Sequence, residues 1–134
     1  MLLFPGEELL YQEMGLPDGW KIQDSSIRLP GRATPVQLLV CSGTCDRPLR
    51  PLSCRIFPLL PRMDVRGGIR LEPDLRALPI CPLLTSAGEP THRIRPSFVR
   101  AVEEVFAFAI REPGVPELLD LLRQENNALG RFLR

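Results

Sequence analysis

"CSGTCDRPLRPLSCRIFP", residues 41–58, gathers three of the four cysteines of this 134-residue chain, and the fourth follows at Cys81 in "LPICPLL". Whether these thiols are bonded in pairs, chemically reactive or gathered around a metal decides what holds the middle of the chain together. The full pattern is Cys41-x3-Cys45-x8-Cys54-x26-Cys81. Zinc sites commonly take two ligands from one tight turn with C-x2–4-C spacing and complete the tetrahedron from elsewhere. Ser42-Gly43-Thr44 is a small, turn-prone connection of that kind, with backbone N–H groups free to donate to sulfur. Cys54 and Cys81 would then arrive from separate elements.

Two other readings compete. Free cysteine is often simply a core residue, but neighbours such as Gly43, Pro48, Arg50 and Pro51 read as surface loop. Disulfides are rare in the cytoplasm, which is where the opening "MLLFPGEELL" places the chain. Its apolar run meets Pro5, Glu7 and Glu8 after three residues and lacks a basic leader. Magnitudes also favour a metal, since a structural zinc contributes about 10–16 kcal/mol of apparent binding energy. A disulfide closing a short loop contributes about 2–4 kcal/mol. A nucleophilic cysteine wants a histidine base. The single histidine, His92 in "EPTHRIRP", is a candidate ligand or base, but a lone loop histidine is usually solvated. Glu103 and Glu104 read as the solvated face of a helix, and no catalytic constellation is present, so no enzymatic activity is expected.

Among metals, zinc and iron–sulfur clusters both accept four thiolates. Neither C-x2-C-x2-C nor C-x4-C-x2-C occurs, which favours zinc and leaves iron or an iron–sulfur cluster as the alternative. Four thiolates close the zinc coordination shell to water, so the site would be structural.

The totals set the frame. An apolar fraction of 44% and a charged fraction of 25% are those of a globular chain, most simply one domain over 1–134. A net charge of +1 provides no global attraction to nucleic acid or anionic membranes. No apolar run reaches the roughly 20 residues that span a bilayer. With 15 prolines and 10 glycines, short elements and many turns are expected.

Along the chain, "FPGEELLYQEMG" predicts a short helix entered at Pro5 and stopped at Gly15. Strands are expected within Trp20–Arg28 and at "VQLLVC" (36–41), the latter delivering Cys41 at its end. "MDVRGGIRLE" (63–72) predicts a hairpin turning on Gly67-Gly68. In the last third, Phe98, Val102, Val105, Phe106 and Ala109 fall on one helical stripe. After the Pro113-Gly114 break, Leu118, Leu119, Leu122, Leu129, Phe132 and Leu133 form another. The expected fold class is α+β, with a cysteine-cluster region at 41–81 and an antiparallel helical hairpin over 96–134.

"CDRPLRPLSCRIFPL" resembles the signature of the YkgJ-like family of zinc- or iron-chelating cysteine-cluster proteins. There a cysteine, a basic Arg-Pro-containing spacer, a second cysteine, an aromatic residue and a proline follow one another. Cys45, Arg50, Pro51, Cys54, Phe57 and Pro58 match those positions, and Cys41 and Cys81 match the outer cysteines. The resemblance covers residues 41–61 and implies metal binding by Cys41, Cys45, Cys54 and Cys81. Larger relatives are linked to flagellin lysine methylation, and that activity is not carried over to a chain of this size.

In the 41–58 stretch, Pro48, Pro51 and Pro58 stiffen the spacer and lower the entropy lost when ligands converge. Arg50 and Arg55 could offset the −2 formal charge of about four thiolates on one zinc, and Phe57 could shield one face. Residues 41–100 carry ten arginines against five acids, a basic stretch able to face an anionic partner. Phe57 and Phe98 are its only aromatics, too few for a base-stacking nucleic-acid surface. A protein partner, a redox or methylation-linked iron–sulfur role, or a thiol-based metal carrier stand as the other readings.

Overall fold

The computed structural model describes residues 1–43, 45–84 and 94–133. Helix α1 spans Glu7–Met14, with Gly6 at φ 94° before it and Gly15 at φ 76° after it. Strands β1 (Lys21–Asp24) and β2 (Gln37–Val40) pair antiparallel, Lys21 opposite Val40 and Asp24 opposite Gln37. The Trp20–Arg28 expectation shortens to four residues. Beyond Asp24 the chain turns back on Val36 through Ser25 N–H, which donates to its carbonyl at 3.0 Å.

The central stretch folds as a 3-10 turn, Arg47–Leu49, and a short helix α2, Leu52–Ile56. Strands β3 (Leu59–Met63) and β4 (Ile69–Pro73) form the expected hairpin, with Met63 opposite Ile69. Its turn, however, is not the two-residue Gly67-Gly68 linker. Asp64 Oδ1 accepts from the N–H groups of Arg66 and Gly68 at 2.8 and 2.9 Å, and Gly67 N–H donates to the Asp64 carbonyl at 3.0 Å. Gly67 sits at φ 78°, so a type I turn followed by a left-handed glycine closes the loop. The carboxylate of Asp64 moves residues 64–66 out of the strand and into the turn. Leu59–Met63 then becomes the strand, which tolerates Pro61 because a two-stranded ribbon leaves some N–H positions without a ladder partner.

Helices α3 (Pro96–Ala109) and α4 (Val115–Phe132) form the C-terminal hairpin. Gly114 turns the chain into α4 at φ 92°, and a Cβ there would meet the Arg32 guanidinium at 2.7 Å. Only glycine suits that corner, where Arg32 Nη1 donates to the Pro113 carbonyl at 3.0 Å. Both helices pack on the β3–β4 ribbon. The architecture is therefore a small α+β arrangement of two two-stranded sheets and a helical hairpin among the described residues.

The core has two parts. The larger joins Phe4, Leu29, Val36, Ile56, Leu60 and Ile69 to Val102, Phe106, Val115, Leu118, Leu119 and Leu122 of the helices. Phe106 is fully buried and meets the Phe4 ring edge-on at 5.0 Å. The smaller joins Leu3, Tyr11, Trp20 and Leu39 beneath α1. Two parts of the predicted stripes fall outside the core. Val105 faces solvent, and the last turn of α4, with Leu129, Phe132 and Leu133, runs past the strands into solvent. Helical spacing fixes which residues share a face, but not how far the packed surface extends under it.

Candidate functional site

Each cysteine is positioned by a different local device. Strand β2 ends at Val40 and releases Cys41, which is exposed. Cys45 is half-buried and packs against the smaller core. Cys54 lies in α2, held by two long-range bonds, from Leu52 to Glu7 and from Ser53 to Leu2. Glu7 carboxylate oxygens accept from the N–H groups of Leu52 and Phe4, each at 2.7 Å, and Ser53 Oγ donates to the Leu2 carbonyl at 2.6 Å. Cys81 follows the 3-10 turn Leu75–Ala77, its N–H donating to the Ala77 carbonyl at 2.8 Å.

All four are free thiols, with no disulfide joining any pair. Burial pushes the Cys54 thiol above its ordinary pKa, and the neighbouring Cys45 and Cys41 push in the same direction against the N-terminal amine and Arg50. A raised pKa is the opposite of what activates a nucleophile. The candidate base His92 lies outside the described residues. Cys41 and Cys45 are close enough for their charges to be felt at Cys54. Among the described residues, no three cysteine, histidine, aspartate or glutamate side chains are grouped as metal ligands. The donor set itself suits a soft or borderline metal such as zinc, because it is made of thiols.

The arginines of the spacer are organised around α2. Arg55 donates through Nε to the Arg50 carbonyl at 2.8 Å and through Nη2 to the Pro48 carbonyl at 2.6 Å. Arg50 Nη2 reaches the Cys45 carbonyl at 3.5 Å, while its Nε is buried with no hydrogen-bond partner among the described residues. A groove of about 620 Å³ opens beside them, lined by Arg47, Arg50, Arg55, Cys54 and Phe57 on one side and by Arg95 and Phe98 of the α3 entry on the other. The basic excess of the sequence stretch hinted at this groove, but nothing local linked Arg95 to Arg47. Tyr11, also unforeseen, donates to the Leu49 carbonyl at 2.8 Å and braces the 3-10 turn.

No protein-family model, curated protein or solved structure matches the chain. Among the described residues, no helix is long and apolar enough to cross a membrane.

Proposed function

We propose that this chain is a small metal-binding protein, preferring zinc, that works as a binding or accessory module rather than as an enzyme. Cys41, Cys45, Cys54 and Cys81 are its ligands. The observation that carries the reading is that Cys45 and Cys41 both lie near enough to Cys54 to help raise its pKa, three free thiols from two segments of one small chain. Binding would draw the 41–45 loop and the segment bearing Cys81 onto α2, with Arg50 offsetting part of the thiolate charge. Zinc, when bound, supplies a cross-link between these segments and no site for water.

Elemental analysis and an absorption spectrum of anaerobically purified protein test this. The expected result is about one colourless zinc per chain. Brown protein carrying several irons and sulfide would replace it with the iron–sulfur reading. The exposure of Cys41 and the absence of a preassembled group among the described residues favour one second reading, a labile thiol carrier that takes up and releases its metal.

A further inference from the structure

We infer that the groove between the 47–58 segment and the α3 entry binds a small phosphorylated organic molecule, at a site that borders the proposed metal centre through Cys54 and Arg50. Four guanidinium groups, those of Arg47, Arg50, Arg55 and Arg95, border a space of about 620 Å³, and among the described residues no acidic side chain borders it. That volume is within the range of small-ligand pockets, roughly 300–1,000 Å³.

Some arginines elsewhere in the molecule are matched with acids: Arg62 with Glu72, Arg70 with Asp64, Arg76 with Asp74 and Arg123 with Asp120. None of the four groove arginines has such a partner among the described residues. Like charges placed together repel, and a multiply charged anion between them relieves the repulsion. Guanidinium groups match phosphate oxygens in a two-pronged geometry that ammonium groups cannot reproduce.

Two further details point to a ligand. Arg50 Nε is a buried donor with no partner among the described residues, a state that ordinarily costs free energy and that a turn of the side chain toward a groove-bound phosphate would relieve. Arg55 is held in place by the Arg50 and Pro48 carbonyls, so part of the site is oriented in advance. At the far wall, α3 begins with neither a side-chain cap nor an acid in its first turn, which leaves its positive end available to the same anion. Phe57 and Phe98 border the same space and provide apolar walls for the organic part. Two aromatics suit a single small molecule better than a run of stacked bases.

The test is calorimetric titration of the full chain, as purified and without added metal, with inorganic phosphate, pyrophosphate and adenosine diphosphate. Adenosine diphosphate should bind most tightly. Arg47→Gln and Arg95→Gln, both at exposed positions, should each weaken it roughly tenfold while leaving the circular dichroism and melting temperature unchanged. Arg66→Gln, at the hairpin tip, should have no effect. Equal affinity for pyrophosphate and adenosine diphosphate would overturn the organic-ligand assignment. So would weakening by Arg66→Gln equal to that by Arg47→Gln. Failure of all three to bind would overturn the proposal.

Discussion

One carboxylate oxygen of Glu7 sits 2.7 Å from the backbone N–H of Leu52, the first residue of α2 and 45 positions further along the chain. The other oxygen accepts from Phe4 N–H at the same distance. Helix α2 has no side-chain cap of its own, so a residue of α1 satisfies its first N–H. The element that bears Cys54 is therefore fixed by α1, not by its own sequence.

Glu7→Ala should cost about 1–3 kcal/mol, the penalty for buried donors left without partners. Glu7 also makes stability depend on pH. Burial raises its pKa above the ordinary 4.5, with Glu8 adding and the two N–H donors and Arg55 subtracting. A raised acid favours the protonated fold, so its contribution is complete below about pH 4.5 and declines as pH rises through the folded value. Urea denaturation at about pH 4 and about pH 7 should show the wild type losing ground relative to Glu7→Gln at the higher pH. A gap that widens with pH would contradict this assignment.

Tyr11 gives the alkaline counterpart. Its phenol is pushed up to about 12 from 10.0, chiefly by burial and then by the Glu7 charge. Its stabilising contribution is present below pH 10 and disappears as pH climbs toward the folded value. Tyr11→Phe should cost about 0.5–1.5 kcal/mol near neutral pH through the lost bond to Leu49, and less as pH rises. Because this is the single tyrosine of the chain, its phenolate absorbance reads the titration directly.

Asn126 is buried in α4, and both ends of its amide are used. Oδ1 accepts from Leu75 N–H at 2.8 Å, and Nδ2 donates to the Pro73 carbonyl at 3.0 Å and to Glu72 at 3.1 Å. Asn126→Leu should lower stability by about 1–3 kcal/mol by orphaning those backbone groups. Asn127→Leu, at an exposed neighbour, should change it by less than about 0.5 kcal/mol. Equal effects in thermal melts would remove Asn126 as the anchor of the segment leading to Cys81.

For the metal, Cys54→Ser should abolish zinc in elemental analysis and broaden thermal unfolding at the same time. A variant that loses metal yet melts as the wild type would favour the carrier reading.

The sequence carried the local parts of this structure well. Pro5 and Gly15 bracket α1, Gly114 marks the helical corner, and Val36–Cys41 contains β2 just ahead of the first cysteine. What it hid was set at a distance. Nothing near Glu7 announces a partner at Leu52, and Asn126 and Asn127 are indistinguishable until the 3-10 turn after Asp74 is seen packed on α4. The Asp64 turn was mistaken for a Gly-Gly turn because a carboxylate that caps its own loop leaves the same residue string as a strand end. Of the candidate site, the cysteines and their spacer were legible as a pattern. The groove was not, because Arg95 joins Arg47 only through tertiary packing.

The fork by which Arg55 grips the Pro48 and Arg50 carbonyls has a consequence for the acid and alkaline behaviour derived above. A guanidinium keeps its proton at every pH a cell meets. The bend of the proline-rich spacer is therefore wired to a charge that does not switch, while Glu7 and Tyr11, which do titrate, sit on α1. Rising pH would weaken the brace beneath the spacer long before altering the spacer's own curvature.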